Sequence, residues 1–176
     1  MNILGIDPSL SATGLAVAQN GKWVKLGVLS NKLRGHERMQ YILDGIAAYV
    51  ERLNEGDMIV MEGPSYNSRG RATHELAGIW WMVRHMLWRY SHIKVIIVPP
   101  SVRAKYATGK GNAGKPEVLA SVIRDHPDAE ILDHNMADAM IFAAMGSRSI
   151  GKPMEIRMQE SPEMEAYDKV NWDDGV

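Results

Sequence analysis

The chain has no cysteine, which excludes a disulfide framework and any thiolate metal site and suits a reducing compartment. It also lacks an apolar run near the roughly 18 residues that span a bilayer, so no membrane partner is expected. Its opening residues carry neither the basic start nor the cleavage site of a secretory signal, and the expected location is cytoplasmic. Internal repeats and low-complexity tracts are missing as well. Net charge is close to nil, with 20 Lys and Arg against 21 Asp and Glu in 176 residues, and this advertises no polyanion partner. The balance is uneven, however. Residues 151–176 hold three basic and seven acidic side chains, which leaves 17 and 14 in residues 1–150. Any nucleic-acid site must therefore be a local patch.

What is present is an ordinary globular composition, 45% hydrophobic and 23% charged, with length enough for one domain and a sizeable core. Residues 1–150 are expected to form that domain, and residues 151–176 an acidic extension with little core. The chain opens with Ile3, Leu4 and Ile6, a short apolar run that ends on Asp7 and is stopped by Pro8. Such a run fits a strand buried on both faces. A second strand over about Leu15–Gln19 meets Asn20-Gly21, a strong hairpin signal, and a third reaches about Ser30. Apolar residues at helical spacing then predict a helix over 36–54. Met58–Met61 forms another buried run that also ends on an acid, Glu62, with Gly63-Pro64 behind it.

An acid at the exit of a buried strand is costly unless a cation or donors compensate it. One such residue reads equally as a capping Asp that satisfies turn amides or as a metal ligand. Two of them favour the ligand reading. Further along, the pattern predicts a long helix over 72–90 and a strand over 93–98. A short helix capped by Ser101, a helix from Pro116 to about His126 and a last helix over 135–147 follow. Trp81 and Trp88 lie off the main apolar stripe of the long helix, which points to deep burial or to a subunit interface.

Four segments in this order, GIDPSLSATG at 5–14, IVMEGP at 59–64, VRAKYATGKGNAGKPEV at 102–118 and ADAMIFAAMG at 137–146, resemble the bacterial and phage RuvC-type Holliday junction resolvases. The resemblance spans about residues 2–147. It implies an α/β ribonuclease H-like fold, with a mixed five-stranded sheet of three antiparallel N-terminal strands plus two parallel ones, flanked by helices. It also implies a homodimeric endodeoxyribonuclease that cleaves four-way or other branched DNA in recombination and repair. The cofactor would be Mg²⁺, with Mn²⁺ substituting and two ions per site. Hard cations take oxygen ligands, and two ions about 4 Å apart serve both ends of an in-line phosphodiester displacement. Asp7, Glu62 and Asp138 are the implied ligands.

At the position of the family's fourth ligand this chain has Asn135, which offers oxygen without charge. On a helix, Asn135 stands roughly 60° and His134 roughly 40° from Asp138, so either is a weaker candidate ligand. By resemblance Lys115 lies near the scissile phosphate, and Lys105 matches another family lysine displaced by one position. The stretch Gly109–Pro116 falls short of a nucleotide P-loop. Pro116 stands where Ser or Thr would hold Mg²⁺, and no buried strand leads into Gly109. Lys110 and Lys115, together with Arg69 and Arg71, suit phosphate contact instead. Tyr66 is either a loop side chain covering the core or an aromatic that stacks on an opened base. Two other readings remain open. One is an actin-like or sugar-kinase-type ATP-binding domain, which needs two lobes where this length supplies one. The other is a catalytically weakened junction-binding module, suggested by Asn135.

Overall fold

A computed structural model of the chain describes residues 1–64, 73–156, 161–173 and 175. Five strands, β1 (Asn2–Asp7), β2 (Ala12–Gln19), β3 (Lys22–Ser30), β4 (Met58–Glu62) and β5 (Lys94–Val98), form one sheet in the order β3-β2-β1-β4-β5. The first three are antiparallel, while β4 and β5 run parallel to β1 and to each other. This is the expected mixed sheet. The β2–β3 turn uses Asn20 at φ 51° and Gly21 at φ 80°. Two successive left-handed residues give the turn whose twist matches the flanking strands.

Helices α1 (Gly35–Val50) and α2 (Thr73–Trp88) cover one face of the sheet. Helices α3 (Pro100–Thr108), α4 (Lys115–Asp125), α5 (His134–Ser149) and α6 (Ser161–Tyr167) belong to the other. The alternation of a pleated strand sorts the side chains between them. Leu4, Ile6, Ile59 and Met61 join Ile42, Ile46, Ile79 and Val83 on the α1/α2 face. Ile3, Met58, Val60 and Ile96 join Met136, Met140 and Phe142 on the α5 face. Both faces are dry, which is why these strands read as unbroken hydrophobic runs. Among the described residues no helix is long and apolar enough to cross a membrane.

Helix α5 sits unusually low on the sheet. A Cβ at Gly5 would lie 2.0 Å from the Ala139 carbonyl oxygen, and one at Gly14 would lie 1.9 Å from that of Asn135. Two glycines on neighbouring strands thus let the helix backbone touch the sheet, and the alanines of α5 keep its own side chains short.

Several local expectations are corrected. Helix α3 starts at Pro100 behind Pro99, with no side-chain cap, so Ser101 lies within the first turn. Proline is already suited to that place because the first turn has no partner for its missing N–H. Helix α5, by contrast, has a side-chain cap, Asp133, which accepts from the Met136 N–H at 2.8 Å. The C-terminal stretch also contributes more core than its acidity suggests. Ala166 and Val170 are buried in the α5-side core, and Trp172 stacks on Tyr167 at 5.1 Å. The Glu155 side chain, only 3% exposed, pairs with Arg148 at 2.8 Å and accepts from the Tyr106 hydroxyl. Glu165 and Asp168 mark the outer side of this stretch, and buried Glu163, the paired Glu155 and apolar side chains hold its inner side.

Candidate active site

Strand register brings the first two acids together. Ile6 of β1 lies opposite Met61 of β4 in parallel pairing, so the next residues, Asp7 and Glu62, leave the sheet side by side. Glu62 is fixed from behind, its carbonyl accepting from the Trp80 indole N–H of α2 at 2.8 Å. The turn after Asp7 satisfies itself. Thr13 Oγ1 accepts from the Ser9 N–H at 3.1 Å and donates to the Ser9 carbonyl at 2.8 Å. Among the described residues, those bonds within the turn are made by Thr13 and Ser9 and not by Asp7.

Helix α5 supplies the third acid. Because Gly5 and Gly14 let it ride on β1 and β2, Asp138 comes down beside the strand ends, and its charge is felt at both Asp7 and Glu62. Asp7 is buried, and its carboxyl is held well above the usual range by burial and by the neighbouring Glu62 and Asp138. Burial likewise raises Glu62 and Asp138, although Arg103 works against this at both. Asp57 shows what an ordinary structural acid does in this protein. Burial disfavours its charge, but N–H groups of Asn2 and Asn54 and the Asn2 side-chain amide outweigh that and bring it below the usual range. Asp7, Glu62 and Asp138 stay above the usual range even though Arg103 pairs with Asp138.

The positive charge among them comes from a residue that the sequence did not single out. Arg103 lies one turn into α3, which starts directly after β5, and the last residue of β5, Val98, is paired with Glu62. Its Nη1 forms an ion pair with Asp138 Oδ2, and its Nε stands 3.8 Å from Glu62 Oε1. Its side chain is 14% exposed. The available signal was its place one turn beyond a strand whose end abuts Glu62.

Of the expected cations within the described residues, Lys115 is the one whose field reaches the cluster, lowering Glu62 and Asp138. It opens α4, where a positive charge opposes the helix dipole. Lys110 is exposed on the same loop and pairs with Glu117 at 3.0 Å. Lys105 is not brought to the site. It follows Arg103 by two residues, about 200° around the helix, and its Nζ pairs with Glu165 at 2.8 Å. His134 stands close enough for its charge to favour ionised Asp138. Asn135 is buried, its side-chain amide donating to Asp133 at 3.3 Å and its carbonyl lying against Gly14. Tyr66, Arg69 and Arg71 lie outside the described residues. A cleft of about 120 Å³ beside Glu62, lined by Pro8, Pro64, Thr73 and Trp80 among others, opens between the ends of β4 and α2.

Neither protein-family models nor curated protein sequences give a match to the chain. Solved structures do. The Thermus thermophilus RuvC structure aligns at a TM-score of 0.66 with 20% identity, covering 89% of this chain and 100% of that one. The T. thermophilus RuvC in complex with Holliday junction substrate aligns at 0.66 with 17% identity, covering 89% and 99%. The chain has the RuvC fold. That ribonuclease H-like fold, a mixed sheet with helices on both faces, is what the four sequence segments implied.

The residues suit a hard divalent cation by chemistry: three acids converge, and too few donors accompany them to settle their charge. Among the described residues, however, no three His, Asp or Glu side chains are already grouped as a finished metal cage. A guanidinium stands between two of the acids.

Proposed function

We propose that this chain is a metal-dependent endodeoxyribonuclease that hydrolyses phosphodiester bonds in four-way or otherwise branched DNA. The observation that carries the reading is the meeting of Asp7, Glu62 and Asp138 at the end of a RuvC-fold sheet, each raised above the usual range by burial. A neighbour of the same fold was solved with a Holliday junction substrate, which supports branched DNA as the class of partner.

In this reading the three acids hold two Mg²⁺ ions, with Mn²⁺ as a substitute and His134 the better placed of the two weaker ligands. When bound, the ions activate a water and stabilise the leaving oxygen. The protein's own groups bind and orient the DNA. Lys115 faces the scissile phosphate. Lys110, with Arg69 and Arg71, follows the backbone, and Tyr66 stacks on a base opened at the branch. Lys105, turned towards Glu165, has no part in this unless that pair opens. Trp81 and Trp88, 67% and 70% exposed on α2, are then the centre of a two-fold dimer that offers one site to each of two symmetry-related strands. A protein of this kind works in the cytoplasm.

Labelled four-way, three-way and linear duplexes incubated with the protein in Mg²⁺ or Mn²⁺ test this. Metal-dependent incision of the branched substrates in preference to linear duplex is expected. Tight junction binding without incision in either metal would favour a junction-binding module, the reading that the uncharged Asn135 suggests. Neither binding nor incision would refute both.

A further inference from the structure

Arg103 is a largely buried cation, its side chain 14% exposed. Its guanidinium reaches Asp138 through Nη1 and approaches Glu62 through Nε, so it spans two acids from different elements, a strand end and a helix. It does so imperfectly. Nε is buried and, among the described residues, has no hydrogen-bond partner, because 3.8 Å to Glu62 is too long for one. A purely structural arginine in a buried ion pair is expected to have its donors satisfied, since a buried charge with unmet donors is costly. Here one end is tightly paired and the other is held off, on the side where the three acids meet.

We propose that Arg103 is a positioning residue that acts as a placeholder cation. It holds Glu62 and Asp138 converged while no metal is present, and it is displaced from Asp138 when a divalent ion enters. This rests on the reading of Asp7, Glu62 and Asp138 as metal ligands. It explains why Glu62 and Asp138 stand close enough to share one guanidinium without forming a finished cage. The cage is completed only when Asp138 changes partners. Arg103 therefore has two opposed effects. It pre-organises the acids and keeps the metal-free fold from flying apart at its most charged point. It also competes with the metal, both by occupying an oxygen of Asp138 and by like-charge repulsion, and both act in the same direction on affinity.

The test is calorimetric titration with Ca²⁺, an oxygen-seeking ion, of the wild type, Arg103→Gln and Arg103→Lys, in parallel with melting curves with and without Ca²⁺. Arg103→Gln is expected to melt lower than wild type without metal and to bind Ca²⁺ roughly 5- to 150-fold more tightly, the usual range for coupled events. It should also gain more from saturating Ca²⁺. Arg103→Lys, which keeps the charge without the planar fork, should fall between the two. In the wild type, the arginine Nε–H signal that Arg103→Lys lacks should move on adding Ca²⁺. A folded Arg103→Gln that binds Ca²⁺ no more tightly than wild type would overturn the inference. So would an unmoved Arg103 signal at saturating Ca²⁺. Should Arg103→Gln not fold, Ca²⁺ affinity in Arg103→Lys equal to or below wild type overturns it instead. A wild type that binds no Ca²⁺ or Mn²⁺ at all would sink the metal-site reading first, and the placeholder with it.

Discussion

Replacing Gly14 by Ala separates the seating of α5 from every charge in the site. Gly14 pairs with Asp7 across β1 and β2, and its added Cβ would lie 1.9 Å from the Asn135 carbonyl oxygen and 2.6 Å from the carbonyl carbon. Both atoms are backbone, so no side chain can swing away. Ordinary contact begins near 3.4 Å, and strand and helix must part by about 1.5 Å at this point. Overpacking of that kind costs about 1–3 kcal/mol, or roughly 2–12 °C in melting temperature for a chain of this size. Asp138 lies one turn beyond Asn135 on the same helix, so the shift carries it away from Asp7 and Glu62. A displacement of about 1 Å in a catalytic group can lower the rate by about 10²-fold. Gly14→Ala should therefore fold, melt a few degrees lower, and lose about two orders of magnitude of Mn²⁺-dependent junction incision. Thermal denaturation and a single-turnover incision assay read the two effects. A variant within about 0.5 kcal/mol of wild type and with undiminished incision would show that α5 does not rest on Gly14 as described.

Asp7→Asn should raise the melting temperature of the metal-free protein at pH 8 by a few degrees, on the order of 1 kcal/mol, because it removes a buried charge repelled by two others, while reducing metal-dependent incision to background. A lower melting temperature would count against the electrostatic account. The pH profile follows from the same groups. Asp7, Glu62 and Asp138 are all raised, so between the ordinary carboxylate range and their raised values the folded state binds more protons than the unfolded one. Stability without metal should then fall as pH rises through that window, and saturating Ca²⁺ should flatten the fall; melting curves in EDTA and in Ca²⁺ from pH 5 to 8 check both, and a profile that rises in EDTA contradicts the sign. Trp88→Glu, at a position 70% exposed, should change the stability of the folded chain by no more than about 0.5 kcal/mol yet give a monomer by sedimentation, whereas a monomeric wild type at micromolar concentration would remove the dimer.

Much of the site was legible because its acids mark where apolar strands stop. Asp7 and Glu62 stand out against runs that are continuous precipitously up to them, and those runs are continuous only because helices cover both faces. Asp138 needed the resemblance, since a lone Asp in an alanine-rich helix has no local signature. The remaining features depend on how elements are turned against one another. Nothing in the spacing of VRAKY tells which cation of α3 faces the sheet end. Lys105, expected from the resemblance as a DNA contact, stands two residues further on, about 200° around the helix, and pairs with Glu165. The direction of α3 is set by Pro99 and Pro100 at the end of β5, and from that start the first residue able to reach back to Glu62 and Asp138 is Arg103. The C-terminal stretch misled for a related reason. Its composition is dominated by acids, of which Glu165 and Asp168 are exposed while Glu155 pairs with Arg148 and Glu163 is buried, and its inner contacts include Met154, Ala166, Tyr167, Val170 and Trp172. A helix of seven residues offers too few turns for a periodic pattern to appear. Such a segment folds because α3 gives it a surface, and that surface exists only once Pro100 has turned the chain.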